Sequence, residues 1–166
     1  MEPEPARLRD TIRRNNHPIV MSNTEHCIDI CNKLLRGERS AVETYDQAIR
    51  KFGDEPVLGE LSRLRDHHLE AVTTLEENVR SMGGSPDESA GAWGAFANTV
   101  QGAANFFGAG SALEALQKGE QSGQGDYQNA LEDEEVMPEC KNLIESRLLP
   151  RTTEHIALLE RLQKAA

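Results

Sequence analysis

Aromatic side chains are scarce in this chain, at 4% of its 166 residues. Sheets draw their faces from aromatic and β-branched residues, so this scarcity, set beside abundant Ala, Leu, Glu and Gln, excludes a β architecture and favours long helices. Basic residues are short as well: 18 Lys and Arg stand against 28 Asp and Glu, for a net charge of -10. A surface of that sign repels phosphate backbones and anionic membranes, so neither nucleic acid nor a membrane is an expected partner. No stretch approaches the roughly 18 uninterrupted apolar residues of a membrane-spanning helix, and the first residues lack the apolar centre of a signal peptide. The expected compartment is the cytoplasm, where three cysteines, an odd number, suit reduced thiols. The length fits one domain with a sizeable core, and the expected class is all-α.

What the chain does have is a duplication. Residues 37–49 read GERSAVETYDQAI and residues 119–131 read GEQSGQGDYQNAL. Gly, Glu, Ser, Tyr and Ala recur at the same offsets, about half the chain apart, a separation that suits two copies of a helical hairpin rather than a solenoid. In the first copy Cys31, Leu34, Ala41, Tyr45, Ala48 and Phe52 follow helical spacing, and Glu38 occupies a place in that stripe where an apolar residue is expected. Glu120 takes the equivalent place among Leu113, Leu116, Tyr127 and Ala130. Both carboxylates are therefore expected to point inward. Glu43, with Arg36, Ser40 and Gln47, is assigned to the solvated face.

Read in order, residues 1–22 hold no lasting period and are expected to be a disordered or extended lead, with the helical domain over 23–166. Helix 1 is expected from about Glu25 to Phe52, capped by Ser22, Asn23 or Thr24. Cys27 and Cys31, four apart on it, are read as small apolar residues rather than metal ligands. After a turn at Gly53 to Pro56, helix 2 covers about Val57 to Met82, with His68 as the polar member of its stripe and His67 and Glu70 at its edge. Gly83, Gly84 and Pro86 end it. Trp93, Phe96, Val100 and Phe107 at helical spacing suggest a further helix in a long crossover, with one sticky face able to support a homo-oligomer. Helix 3 is expected over about Ser111 to Glu134 despite Gly119, Gly123 and Gly125. Helix 4 starts near Pro138 and carries His155 in its stripe, with a kink expected at Pro150.

These residues resemble a known superfamily. Glu38, Ala41 and Tyr45 are similar to the Glu-x-x-Ala-x-x-x-Tyr run on the first helix of bacterioferritins and rubrerythrins, and Glu154-His155-Ile156 with its following leucines resembles the last helix there. The span from about 25 to 165, with its long crossover, is similar to uncharacterised bacterial ferritin-like four-helix-bundle domains. The resemblance implies two antiparallel hairpins whose four helices contribute Glu38, His68, Glu120 and His155 to a shared centre. Di-iron members carry a Glu three residues before each histidine; here those positions hold Arg65 and Thr152. A two-metal oxidase or peroxidase lacks its bridges unless Asp66, Glu70 or Glu154 swings in.

The reading taken is a ferritin-like bundle with a buried Glu/His cluster and no catalytic residues. The cluster either holds one iron, manganese or zinc ion, with His67, Glu70 and Glu154 as edge contributors, or is a degenerate metal site in which the polar groups, and Arg65, satisfy one another. The alternative is a structural or interaction bundle that self-associates.

Overall fold

The computed structural model describes residues 17–52, 55–91 and 109–165. Among the described residues there is no strand. The elements are α1 (His17–Lys51), α2 (Glu55–Ser81), α3 (Ala109–Glu132), a short α4 (Pro138–Leu143), one π turn (Ile144–Leu148) and α5 (Leu149–Ala165), the last three following one another without a break. The helix starts about two turns before the expected Glu25: Pro18 falls in the first turn, where an amide hydrogen has no intrahelical partner and its absence costs nothing. The crossover stripe of Trp93, Phe96, Val100 and Phe107 lies outside the described residues.

Helix ends follow local chemistry. α2 closes with Gly83 at φ 82°. The Gly84 amide donates to the Val79 carbonyl and the Gly83 amide to the Arg80 carbonyl, each at 3.0 Å. That is a Schellman cap, for which a residue without Cβ is favoured. Gly84 is needed for a second reason, because a Cβ there would stand 2.8 Å from Ile28. α3 runs unbroken through Gly119, Gly123 and Gly125, so tertiary packing outweighs a propensity loss of about 1 kcal/mol at each.

Side-chain pairs fix the directions. Asn32 meets Ser85, Arg39 meets Glu76 and Asp46 meets Arg65, so α1 and α2 are antiparallel. Gln117 with Glu160 and Gln124 with Thr153 make α3 and α5 antiparallel. By the same logic Lys33–Asp126 and Tyr45–Glu120 set α1 against α3, and Glu70–Arg151 with His67–His155 set α2 against α5. α2 and α3 then run the same way, so the connection between them must return the chain to the opposite end of the bundle.

The apolar interior divides in two. One cluster gathers Cys27, Cys31, Leu35, Leu75, Val79, Cys140 and Ile144 among others; the second gathers Tyr45, Leu61, Leu64, Leu113, Leu116 and Leu159. On each long helix one ionisable residue falls between them: Glu38, His68, Glu120 and His155, all buried. The disturbance expected at Pro150 takes the form of the π turn that ends two residues before it. Cys140, Ile144, Leu148 and Thr152 are all buried at successive steps of four. An α-helix overshoots by about 40° at each such step, and the wider i→i+5 turn takes up that surplus, keeping His155 on the core-facing side.

Candidate metal centre

The polar layer is one connected network. His68 on α2 places Nδ1 2.7 Å from Glu38 Oε2 and Nε2 2.9 Å from Glu120 Oε1. A carboxylate only accepts, so both ring nitrogens donate and His68 is an imidazolium clamped between two carboxylates. Burial opposes that charge, but Glu120 and Glu38 outweigh it and push the pKa up to about 10. Glu120 is held well below the usual carboxylate range against its burial, chiefly by the His68 charge and by hydrogen bonds from His155 and His68.

The tyrosines of the duplication cross over. Tyr45 of the first copy donates to Glu120 of the second at 2.6 Å, and Tyr127 of the second donates to Glu38 of the first. Burial and the facing carboxylates hold both phenols protonated, far above their ordinary range. His155 donates from Nδ1 to Glu120 at 3.3 Å, and its Nε2 lies 3.0 Å from Nδ1 of His67, which leads toward the surface. The two rings stack at 17° between planes. Burial, with His155 and Arg151 nearby, lowers the His67 pKa.

The four residues expected to converge, Glu38, His68, Glu120 and His155, are therefore brought together. His68, Glu120 and His155 each present a ligand atom, and these atoms lie within 4.8 Å of one another. His67 joins from the edge through His155. Glu70 does not: it is exposed and paired with Arg151 at 2.5 Å. Glu154 is also exposed. Arg65 turns to Asp46 at 3.2 Å and Asp66 at 2.8 Å rather than to the buried carboxylates, and Thr152 back-bonds to the Leu148 carbonyl. None of the three carboxylates that could have replaced the missing bridges reaches the layer.

Two features escaped the reading of the sequence. Ser40, assigned to the solvated face, is buried at 3% exposure. It lines a cavity of about 120 Å³ between α1 and α3, above the Glu38 and Glu120 carboxylates. The signal was available, since Ser40 and Ser122 recur in the two copies as faithfully as the glutamates. The other feature is a contact between helices: Cys140 joins Cys31 around the Asn78 side-chain oxygen, at 3.6 and 3.3 Å. Burial pushes the Cys27 thiol up to about 11, and contact with Cys31 followed by burial raises Cys140 further. Cys27 and Cys140 are therefore inert core thiols at neutral pH.

Residues 26–133 match the family described as Domain of unknown function (DUF2383). The match covers most of the chain, and the protein belongs to that family. The matched segment contains Glu38, Tyr45, His68, Glu120 and Tyr127 and stops short of His155. No curated protein and no solved structure matches the chain.

Proposed function

We propose that this protein is a ferritin-like bundle whose buried layer binds a single divalent cation of the iron, manganese or zinc type, with His68, Glu120 and His155 as ligands and Glu38, the fourth residue of the layer, orienting His68 through Nδ1. The carrying observation is the approach of the His68, Glu120 and His155 ligand atoms to within 4.8 Å of one another, with Glu38 tied to the same ring. Mixed imidazole and carboxylate donors suit those metals. Two carboxylates and two neutral imidazoles also sum to the charge that a divalent ion cancels, whereas one imidazolium against two carboxylates leaves a buried negative charge. A bound ion would supply Lewis acidity and would fix the carboxylates, while the tyrosines orient them. The residues do not fit a two-metal centre, because Arg65 and Thr152 stand where bridging carboxylates are required and Asp66, Glu70 and Glu154 are directed elsewhere. The ferritin-like topology is supported by the helix directions and by the full-length return required between α2 and α3.

A second reading is favoured by one observation: His68 already satisfies both carboxylates, as a fixed cation would. In that case the layer is a metal-free polar core and the protein a structural or self-associating bundle. Elemental analysis of protein purified without added metal separates the two. Near-stoichiometric metal that is lost in the Glu38→Gln/Glu120→Gln double variant supports the first reading. Metal-free protein that takes up no zinc, iron or manganese on dialysis refutes it.

A further inference from the structure

The metal reading uses the glutamates of the duplicated motif and leaves its glycines and serines without a role. Yet Gly37, Glu38, Ser40 and Tyr45, and the counterpart of each in the second copy, all line the cavity between α1 and α3. What the duplication has in common is therefore the lining of one chamber. Its volume is about 120 Å³; cavities of about 150 Å³ take up a benzene, so there is room for roughly five non-hydrogen atoms. The glycines keep it open. A Cβ at Gly37 or Gly123 would meet nothing within 4 Å.

The chemistry of the walls narrows the occupant. Leu34, Ala41 and Leu116 make the sides apolar. At the floor, the donors of Tyr45, of both His68 nitrogens and of Tyr127 are already spent on the two carboxylates. What remains is acceptor capacity, because a carboxylate offers about four lone-pair sites and Glu38 is engaged by only two donors here. Asp126 adds a third carboxylate to the lining, at 2.9 Å from Lys33, and His68 is the only cationic side chain among the described lining residues. Among the described lining residues three carboxylates face one imidazolium, so the site disfavours anions; the hydroxyls of Ser40 and Ser122 also border it, Ser122 at its exposed rim.

We infer that this chamber binds a small organic cation with a short apolar tail, of the primary alkylammonium class. The ammonium sits over Glu38 and Glu120, and the tail lies along Leu34 and Leu116. The inference rests on the cavity and its acceptor floor and does not depend on a metal in the layer.

The test is an amide-resonance NMR titration of the full-length protein with propylammonium chloride, and in parallel with sodium propionate and 1-propanol. Propylammonium is expected to saturate shifts at Gly37, Gly119 and Gly123, with propionate giving none and propanol binding at least tenfold more weakly. Gly37→Leu fills the chamber from a position with open space and a better helix former. It should weaken propylammonium at least tenfold while retaining the helical circular dichroism of the parent. Gly123→Leu, on the facing helix, should do the same. Equal response to propionate or propanol, unchanged affinity in both filled variants, or no saturable response to propylammonium would overturn the assignment.

Discussion

In the first hairpin, His68 reaches both glutamates and carries a positive charge between them; in the second, His155 reaches Glu120 alone and hands its other nitrogen to His67. The two copies agree in their tyrosines and disagree in their histidines. The tyrosines sit on α1 and α3, which descend from the matching motif and face each other. The histidines sit on α2 and on α5, and only α5 is preceded by a π turn. A duplication keeps symmetry where the sequence is kept, and the partner helices have diverged around it. The consequence is an unequal pair of carboxylates, with Glu120 accepting from three side chains and Glu38 from two.

That inequality can be broken most directly by truncation. Removing one member of a buried ionic network strands the rest, at a cost of about 3–5 kcal/mol. Glu120→Ala is expected toward the top of that range and Glu38→Ala lower by about 1–2 kcal/mol, since one fewer donor is orphaned. Urea unfolding at neutral pH measures both. Equal losses would contradict the asymmetry.

Titration sharpens the same point. His68 has a folded-state pKa raised to about 10 from 6.5, so its contribution is fully present below the unfolded value and is lost as pH rises from there through about 10. Metal-free protein should therefore lose stability across that window, and His68→Gln should flatten the profile. Glu120 has the opposite sign: its depressed pKa gives stability present above the ordinary carboxylate value of 4.5 and lost as pH falls below it. Melting curves taken from pH 3 to 10 would show a fall at each end. A wild-type profile flat above 6.5 would contradict the imidazolium assignment.

Much of the layer was legible in the sequence, because a charged residue in a helical apolar stripe breaks a period that is otherwise regular. Glu38, His68, Glu120 and His155 each stand out that way. The duplication also carried α3 past three glycines that taken alone suggest a loop. What could not be read is what depends on the relation between helices. The turn to Arg65's own neighbours, the pairing of Glu70 with Arg151 and the burial of Ser40 follow from how α1, α2, α3 and α5 are rotated against one another. The π turn was visible only as a disturbance near Pro150, since proline shows where a hydrogen bond is missing but not how the chain re-forms around the gap.

Metal tests whether the two histidines act as one site despite their difference. If they do, zinc at a hundredfold excess over Kd should stabilise the native state by about 2.7 kcal/mol and release the His68 proton as it binds. The Glu38→Gln/Glu120→Gln variant should lose that response and melt lower than the parent when both carry zinc. Differential scanning calorimetry with zinc and with chelator reads the effect. A wild-type melting point insensitive to both would decide for the metal-free polar core.

The smallest effect probes the symmetric part. Tyr45→Phe and Tyr127→Phe each remove one hydroxyl that donates to a buried carboxylate, and each should cost about 1.5 kcal/mol, the lower end for hydrogen bonds to charged groups. Equal costs are what a twofold pairing requires, but equality alone does not show which glutamate each tyrosine serves. A double-mutant cycle does. Tyr45→Phe combined with Glu120→Gln should show a coupling of about 1 kcal/mol, while Tyr45→Phe combined with Glu38→Gln should be nearly additive, because the Tyr45 hydroxyl lies 2.6 Å from Glu120 and donates to no oxygen of Glu38. The mirror cycle, with Tyr127 and Glu38, should couple in turn. Coupling of each tyrosine to the glutamate of its own copy would mean that the motifs fold back on themselves, and the crossed arrangement of α1 and α3 would have to be abandoned.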